Sequence, residues 1–170
     1  MPRTFELQVE SPSSLEQFRS AFGDEEYWRA RLAAMDNGQL DSLDVHGDGA
    51  VNVRTSFKLL RDGLPKVVSQ LRLGDLEMVH DETWSRIDGG QVRGEVNVEV
   101  NGFPLSGRGA GSLTQIAAGT QLTYSATISV KVPLIGGAIE NFIGSQLTSW
   151  IREISSFTTE WIDERGQLPD

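Results

Sequence analysis

The sequence contains no cysteine, which excludes a disulfide, a thiol nucleophile and a cysteine-ligated metal. Basic residues are few, 15 against 24 acidic residues, and the net charge of -9 repels phosphate backbones and anionic headgroups. No apolar run approaches the ~18 residues that span a bilayer, and the N-terminal residues lack the apolar centre of a secretory signal. We therefore expect a cytoplasmic protein that binds no nucleic acid and does not insert stably into membranes.

Motifs for cofactor, metal and nucleophile chemistry are also missing. The two histidines are far apart in sequence, and neither an HExxH motif nor a Gly-x-Ser-x-Gly elbow is present. The segment Gly107-Arg108-Gly109-Ala110-Gly111 has the glycines of a nucleotide-binding loop, but strand-like residues flank it where such a loop would open a helix. We expect no cofactor and no metal, and we assign no catalytic residue.

The length and composition fit one globular domain. The chain has 170 residues, of which 38% are hydrophobic and 23% charged, a composition typical of a folded protein with a single core. We predict one domain over residues 1–165 and a loose tail over 166–170.

The N-terminal part predicts one strand and two short helices. Residues 5–9 alternate between apolar and polar types, as a strand with one buried face does. Ser13 lies three residues before Glu16 in a capping-box pattern that would open a helix ending at Gly23. Asp24 can cap a second helix, which carries an apolar stripe of Trp28, Leu32 and Met35.

The middle of the chain alternates with period two, and short glycine-containing turns separate its runs. We predict about six strands there, which should pair antiparallel because the turns are short. Pro65 could start a short helical turn between two of them. The runs are 43–45, 51–59, 76–84, 92–100, 105–113 and 122–132.

The C-terminal part changes to helical periodicity. From Ala138 to about Glu164, apolar residues recur on one broad stripe. A helix of this length spans roughly 40 Å, and without a helical partner it must lie across the sheet. We therefore predict an α+β fold in which a curved antiparallel sheet wraps a long C-terminal helix.

Small residues on the predicted inner face of the sheet suggest either a cavity or a tightly packed layer. Gly107, Gly109 and Gly111 alternate in one strand, with Gly94 and Ala126 on neighbouring strands. Glycines there could open volume beneath the sheet, or they could only relieve strain beside close-packed aromatic rings. The polar inward residues tip the balance towards a pocket, since they would otherwise need partners. The proposed ligand-binding residues are Thr55, Phe57, His80, Trp84, Tyr124, Phe142 and Trp150.

His80 and Glu82 could form an acid–base pair within such a cavity, because both lie on the same face of one strand. The simpler interpretation places His80 at a sheet edge with Glu82 in solvent, and we prefer it.

The order of elements and several short motifs resemble the START-like, or helix-grip, superfamily. This superfamily includes birch-pollen-allergen-like proteins, lipid-transfer domains and polyketide cyclases. More narrowly, the chain resembles an actinobacterial START-like family of unknown function. The matching segments are Val132-Pro133-Leu134-Ile135-Gly136-Gly137-Ala138-Ile139-Glu140, Glu82-Thr83-Trp84, Gly102-Phe103-Pro104 and Phe157-Thr158-Thr159-Glu160-Trp161.

The resemblance implies that a hydrophobic ligand binds between the sheet and the long helix, and it transfers no catalytic motif. Three hypotheses follow. The first is a non-catalytic carrier or sensor of a lipid, polyketide or isoprenoid-like molecule. The second is a cyclase or hydrolase acting through His80, Glu82 or Tyr124 in the same cavity. The third is an interaction module with a filled core. The sequence leaves the oligomeric state open.

Overall fold

The computed structural model describes residues 2–35, 38–59 and 76–166. Its elements follow the predicted order of one strand, two short helices, six strands and one long helix. They are β1 (Arg3–Ser11), α1 (Leu15–Phe22), α2 (Glu25–Met35), β2 (Gln39–Val45), β3 (Val51–Leu59), β4 (Leu76–Trp84), β5 (Gln91–Asn101), β6 (Leu105–Ile116), β7 (Gly119–Val130) and α3 (Gly136–Gly166). The predicted turn at Pro65 lies outside the described residues.

The seven strands form one antiparallel sheet in the order β1-β7-β6-β5-β4-β3-β2. Consecutive strands from β2 to β7 are neighbours, and β1 closes against β7. Several turns between strands contain a glycine in the left-handed region, as at Gly102 (φ 90°) and Gly119 (φ 144°). A side chain at Gly119 would also meet the backbone of Ser11 and Pro12, so only glycine fits there.

Capping residues set the ends of the two short helices, and one cap lies one residue away from its predicted position. The N-cap of α1 is Ser14 rather than the predicted Ser13, and Gln17 completes the capping box: the Gln17 amide donates to Ser14 Oγ, and the Ser14 amide donates to Gln17 Oε1. Gly23 ends the helix as predicted. Asp24 Oδ1 accepts a hydrogen bond from the amide of Glu26 at the start of α2.

The long helix α3 packs against β1, β7 and the two short helices. It has 31 residues and is therefore about 46 Å long. It extends to Gly166, one residue into the predicted tail. The helix approaches β1 closely at Gly144, where a Cβ would collide with the ring of Phe5. No helix in the described ranges is long and apolar enough to cross a membrane.

The buried apolar side chains of the described residues form two cores at opposite ends of the sheet. We call them the first and second cores. The first core joins α1 and α2 to one end of the sheet and consists of Leu15, Phe18, Ala21, Phe22, Tyr27, Trp28, Val51, Val53, Trp84, Val92, Leu113 and Ile162. The second core joins the start of α3 to the other end and consists of Leu76, Val100, Phe103, Leu105, Ile128, Val130 and Ile139.

Candidate functional site: a polar cavity between two cores

The candidate site lies on the part of strand β4 that runs between the two cores. Alternate residues of β4 point inwards, and His80 and Glu82 are each only 6% exposed. Thr55 of β3 pairs with His80 in the sheet and is itself buried. The prediction that Glu82 would lie in solvent beside a sheet-edge histidine is wrong, because β4 is an interior strand with β3 and β5 on either side.

These side chains line a small, partly open cavity under α2 and α3. Its volume is about 10 Å³, which is room for about one water molecule. Of the predicted ligand-binding residues, four line this cavity. The lining residues are Trp28, Arg31, Leu32, Met35, Thr55, Phe57, His80, Glu82, Trp150 and Ile154.

The cavity contains a buried ion pair that the sequence analysis did not anticipate. Arg31 of α2 lies 3.8 Å from Glu82, measured between Nη2 and Oε2. Their side chains are 13% and 7% exposed. The guanidinium also lies 4.8 Å from the centre of the Trp28 ring. Burial disfavours its charge, but Tyr27 and Glu82 outweigh this effect, so the pKa of Arg31 rises above its usual value.

His80 packs against two aromatic rings. The ring of Phe57 lies 5.0 Å from it and that of Trp150 lies 5.7 Å away, both edge-on. His80 Nε2 contacts the sulfur of Met78 at 2.9 Å. Burial, together with the positive charge of Arg31, lowers the pKa of His80 to about 4. The imidazole is therefore neutral at pH 7.

Tyr124 of β7 lies over the glycines of β6 and is electrostatically linked to the ion pair. Burial raises the pKa of Tyr124 to about 12, and the negative charge of Glu82 contributes to the rise. A Cβ at Gly109 would fall on the Tyr124 hydroxyl, and one at Gly111 would lie 3.3 Å from the Tyr124 ring. Two of the three glycines therefore make room for this aromatic side chain rather than for a ligand.

Trp84 and Phe142 lie away from the cavity. Trp84 belongs to the first core, where its ring packs 4.8 Å from that of Phe22 and occupies the space above Gly94. Phe142 is 36% exposed on α3. The predicted apolar stripe of the C-terminal helix is too broad at this position. Phe142 lies at the edge of the stripe, and the face of a helix that packs on a sheet does not bury residues at its edge. The structure thus brings together Thr55, Phe57, His80 and Trp150 and separates the other three predicted residues from them.

Comparison with known proteins identifies the family. Residues 6–162 match the family described as "Protein of unknown function (DUF2505)". This chain belongs to that family. A curated relative, the uncharacterized protein Rv0481c of Mycobacterium tuberculosis (strain ATCC 25618 / H37Rv), is 34% identical in an alignment that covers 95% of this chain and 98% of the relative.

Solved structures place this DUF2505 chain in the START-like fold. Ara h 8.0201 aligns with a TM-score of 0.56 at 14% identity, covering 96% of this chain and 99% of that one. The Zhui aromatase/cyclase from Streptomyces sp. R1128 gives 0.56 at 9% identity, covering 98% and 97%. A START superfamily protein from Mycobacterium smegmatis gives 0.51 at 13% identity, covering 95% and 97%. At these identities the likeness establishes the helix-grip fold alone.

Arg31 could have been found from the sequence. It lies three residues after Trp28 and four before Met35, so it falls on the apolar face of α2 beside Leu32. A charged residue on a buried helix face requires a partner of opposite charge. Glu82, at an inward position of the alternating strand, was the available partner.

Proposed function

We propose that this DUF2505 protein binds a hydrophobic small molecule between its sheet and its C-terminal helix. The observation that supports this is the cavity in which apolar rings surround a few convergent polar groups. Small-molecule sites commonly have this composition. Thr55 and His80 would orient the ligand, while Phe57 and Trp150 would contact its apolar part. We further propose that the protein acts in the cytoplasm as a single START-like domain.

The volume of the cavity sets a condition on binding. A space of about 10 Å³ holds a single small group, so a larger ligand must displace side chains. Met35 has an unbranched, adaptable side chain, and Trp150 is only half-buried on α3. Movement of these two residues would open the layer between α2, α3 and the sheet.

The proposal is tested by measuring binding of the neutral dye N-phenyl-1-naphthylamine and by native mass spectrometry of the purified protein. The variant Ile154→Trp adds bulk to the cavity wall, and we expect it to weaken dye binding at least about fivefold, because overpacking a filled site costs about 1–3 kcal/mol. The matched control Gln146→Trp places the same ring on an exposed position of the same helix and should bind the dye as the unmodified protein does. A protein that binds no dye and retains no small molecule would instead fit an interaction module with a filled core.

A second candidate function is an enzyme of the cyclase or hydrolase type. It is favoured by the convergence of His80 and Glu82 on one cavity. With a pKa of about 4, however, neutral His80 is a weak base at pH 7. Return of bound aromatic or polyketide-like molecules chemically unchanged after long incubation supports the carrier, whereas a new product that disappears in His80→Gln supports the enzyme.

A further inference from the structure

Among the residues that the structure describes, the cavity holds one buried cation and one buried anion that do not reach each other through a direct hydrogen bond. Arg31 and Glu82 are separated by 3.8 Å, whereas charge-assisted hydrogen bonds between such groups measure about 2.7–2.9 Å. The guanidinium has five N–H donors. The Thr158 hydroxyl donates to the Ile154 carbonyl, so Tyr27 donates to Thr158 at 2.6 Å and its oxygen is free to accept from Arg31. One hydroxyl oxygen satisfies only a small part of the donor capacity of Arg31.

We propose that the Arg31–Glu82 pair selects a neutral hydrophobic ligand that carries a hydroxyl group and discriminates against carboxylates. This inference rests on the proposed function and specifies the class of ligand for the same cavity. A hydroxyl oxygen can accept a hydrogen bond from Arg31 while its proton is donated to Glu82. It thereby bridges the two charged groups, which a purely apolar ligand cannot do.

The charges around the cavity support a neutral ligand. Within residues 2–35, 38–59 and 76–166, Arg31 and Glu82 compensate each other at the cavity, and His80 is uncharged at pH 7. The neighbouring carboxylate of Asp81 lies on the other face of β4, where it pairs with Arg54. A ligand carboxylate at Arg31 would place a second negative charge beside Glu82 in a poorly hydrated site, where like charges repel strongly.

The size and walls of the cavity agree with the same class of ligand. Its volume of about 10 Å³ matches one hydroxyl-sized group. Phe57 and Trp150 both line the cavity, and an aromatic or aliphatic body would pack against them once the Met35 side chain moves. The polar group would then lie deep, and the apolar body would lie towards α3.

The test compares three probes of the same shape by equilibrium dialysis at pH 7: 2-naphthol, naphthalene and 2-naphthoate. We expect 2-naphthol to bind at least about tenfold more tightly than naphthalene, because hydrogen bonds to charged groups contribute that much or more. We expect 2-naphthoate to bind no better than naphthalene. The double variant Arg31→Met/Glu82→Gln removes both charges together, so neither is left buried alone, and it should lose the preference for 2-naphthol while still binding naphthalene.

The control variant Arg54→Met/Asp81→Asn removes an exposed ion pair from the same region of the sheet and should keep the preference. Tighter binding of 2-naphthoate than of 2-naphthol would overturn the hydroxyl selectivity, and an unchanged preference in the folded double variant would overturn its assignment to Arg31 and Glu82. Neither result would contradict the proposed function. Equal binding of 2-naphthol and naphthalene to the unmodified protein would also overturn the hydroxyl selectivity, and this result needs no variant. Failure of all three probes to bind would overturn the proposed function together with this inference.

Discussion

Gly109 provides a direct test of what the glycines of β6 do. A Cβ built at this position would lie 2.0 Å from the Tyr124 hydroxyl oxygen and 2.6 Å from the carbon that carries it. The substitution Gly109→Ala must therefore move the ring of Tyr124. If the glycines left space for a ligand instead, an added methyl group would occupy that space at little cost.

The expected magnitude follows from the rigidity of the contact. A tyrosine ring can avoid a methyl group only by rotating about two dihedral angles, and forced overpacking costs about 1–3 kcal/mol. We expect the free energy of unfolding to fall by about 2 kcal/mol, which lowers the melting temperature by about 4–8 °C for a chain of this size. Part of this loss is offset by the lower entropy of alanine in the unfolded chain.

Gly107→Ala is the matched control, because it changes the same residue type on the same face of the same strand. Its Cβ would meet Val98 at 3.6 Å and the Thr127 carbonyl at 3.9 Å, both ordinary contacts. We expect this variant to be as stable as the unmodified protein or slightly more stable. Denaturant unfolding followed by tryptophan fluorescence measures both variants, and equal stabilities of the two would refute the assignment of Gly109 to the packing of Tyr124.

Three further predictions concern charge and backbone strain. Glu82→Gln should lower the free energy of unfolding by about 3–5 kcal/mol, because it leaves Arg31 as an uncompensated buried charge. The control Asp81→Asn changes an exposed ion pair and should lower it by no more than about 1 kcal/mol. Equal losses of the two variants in denaturant unfolding would contradict this prediction. Because the pKa of His80 is about 4 when folded, the unfolded chain takes up its proton first as the pH falls. Stability should therefore decline between about pH 6.5 and 4 by up to about 3 kcal/mol, and His80→Gln should remove that part of the pH dependence; an identical dependence in the variant would refute burial of a neutral imidazole. Leu134 is fully exposed with φ 70°, so Leu134→Gly should raise stability by about 0.5–1 kcal/mol through relief of backbone strain, and a lower melting temperature would show a packing role for the leucine.

The fold could be predicted from periodicity because each part of the chain has one dominant pattern. Alternation in the strands and the helical stripe from Ala138 onwards each place one face of an element against the core. Because the turns between consecutive strands are short, those strands pair antiparallel. The boundary at Ser14 was missed because Ser13 and Ser14 both have a residue three positions later that can complete a capping box, and only backbone geometry decides between them.

The site was less predictable because it depends on distances between elements that sequence does not supply. Alternation correctly turned His80 inwards, but which strand lies at the sheet edge follows from the order of pairing. The glycine pattern was ambiguous for a similar reason, since a missing side chain can be matched by a cavity or by a neighbouring ring. Tyr124 and Trp84 supply those rings. The space that stays unfilled is the polar cavity between the first and second cores.

The buried Arg31–Glu82 pair in this cavity is difficult to explain by stability alone. The attraction between two buried charges offsets the free energy lost when they leave water only if the geometry of the pair is good. A protein with well-packed apolar residues in place of the pair is often equally stable or more stable. The separation of 3.8 Å between Arg31 and Glu82 is poor geometry for the pair itself, but it lets a hydroxyl group that lies beside the pair contact both side chains. The stability loss in Glu82→Gln and the hydroxyl preference measured with 2-naphthol therefore report on the same two side chains in different ways. A double variant that keeps its stability and loses the preference would assign the pair to ligand recognition, whereas one that loses stability and keeps the preference would assign it to the fold.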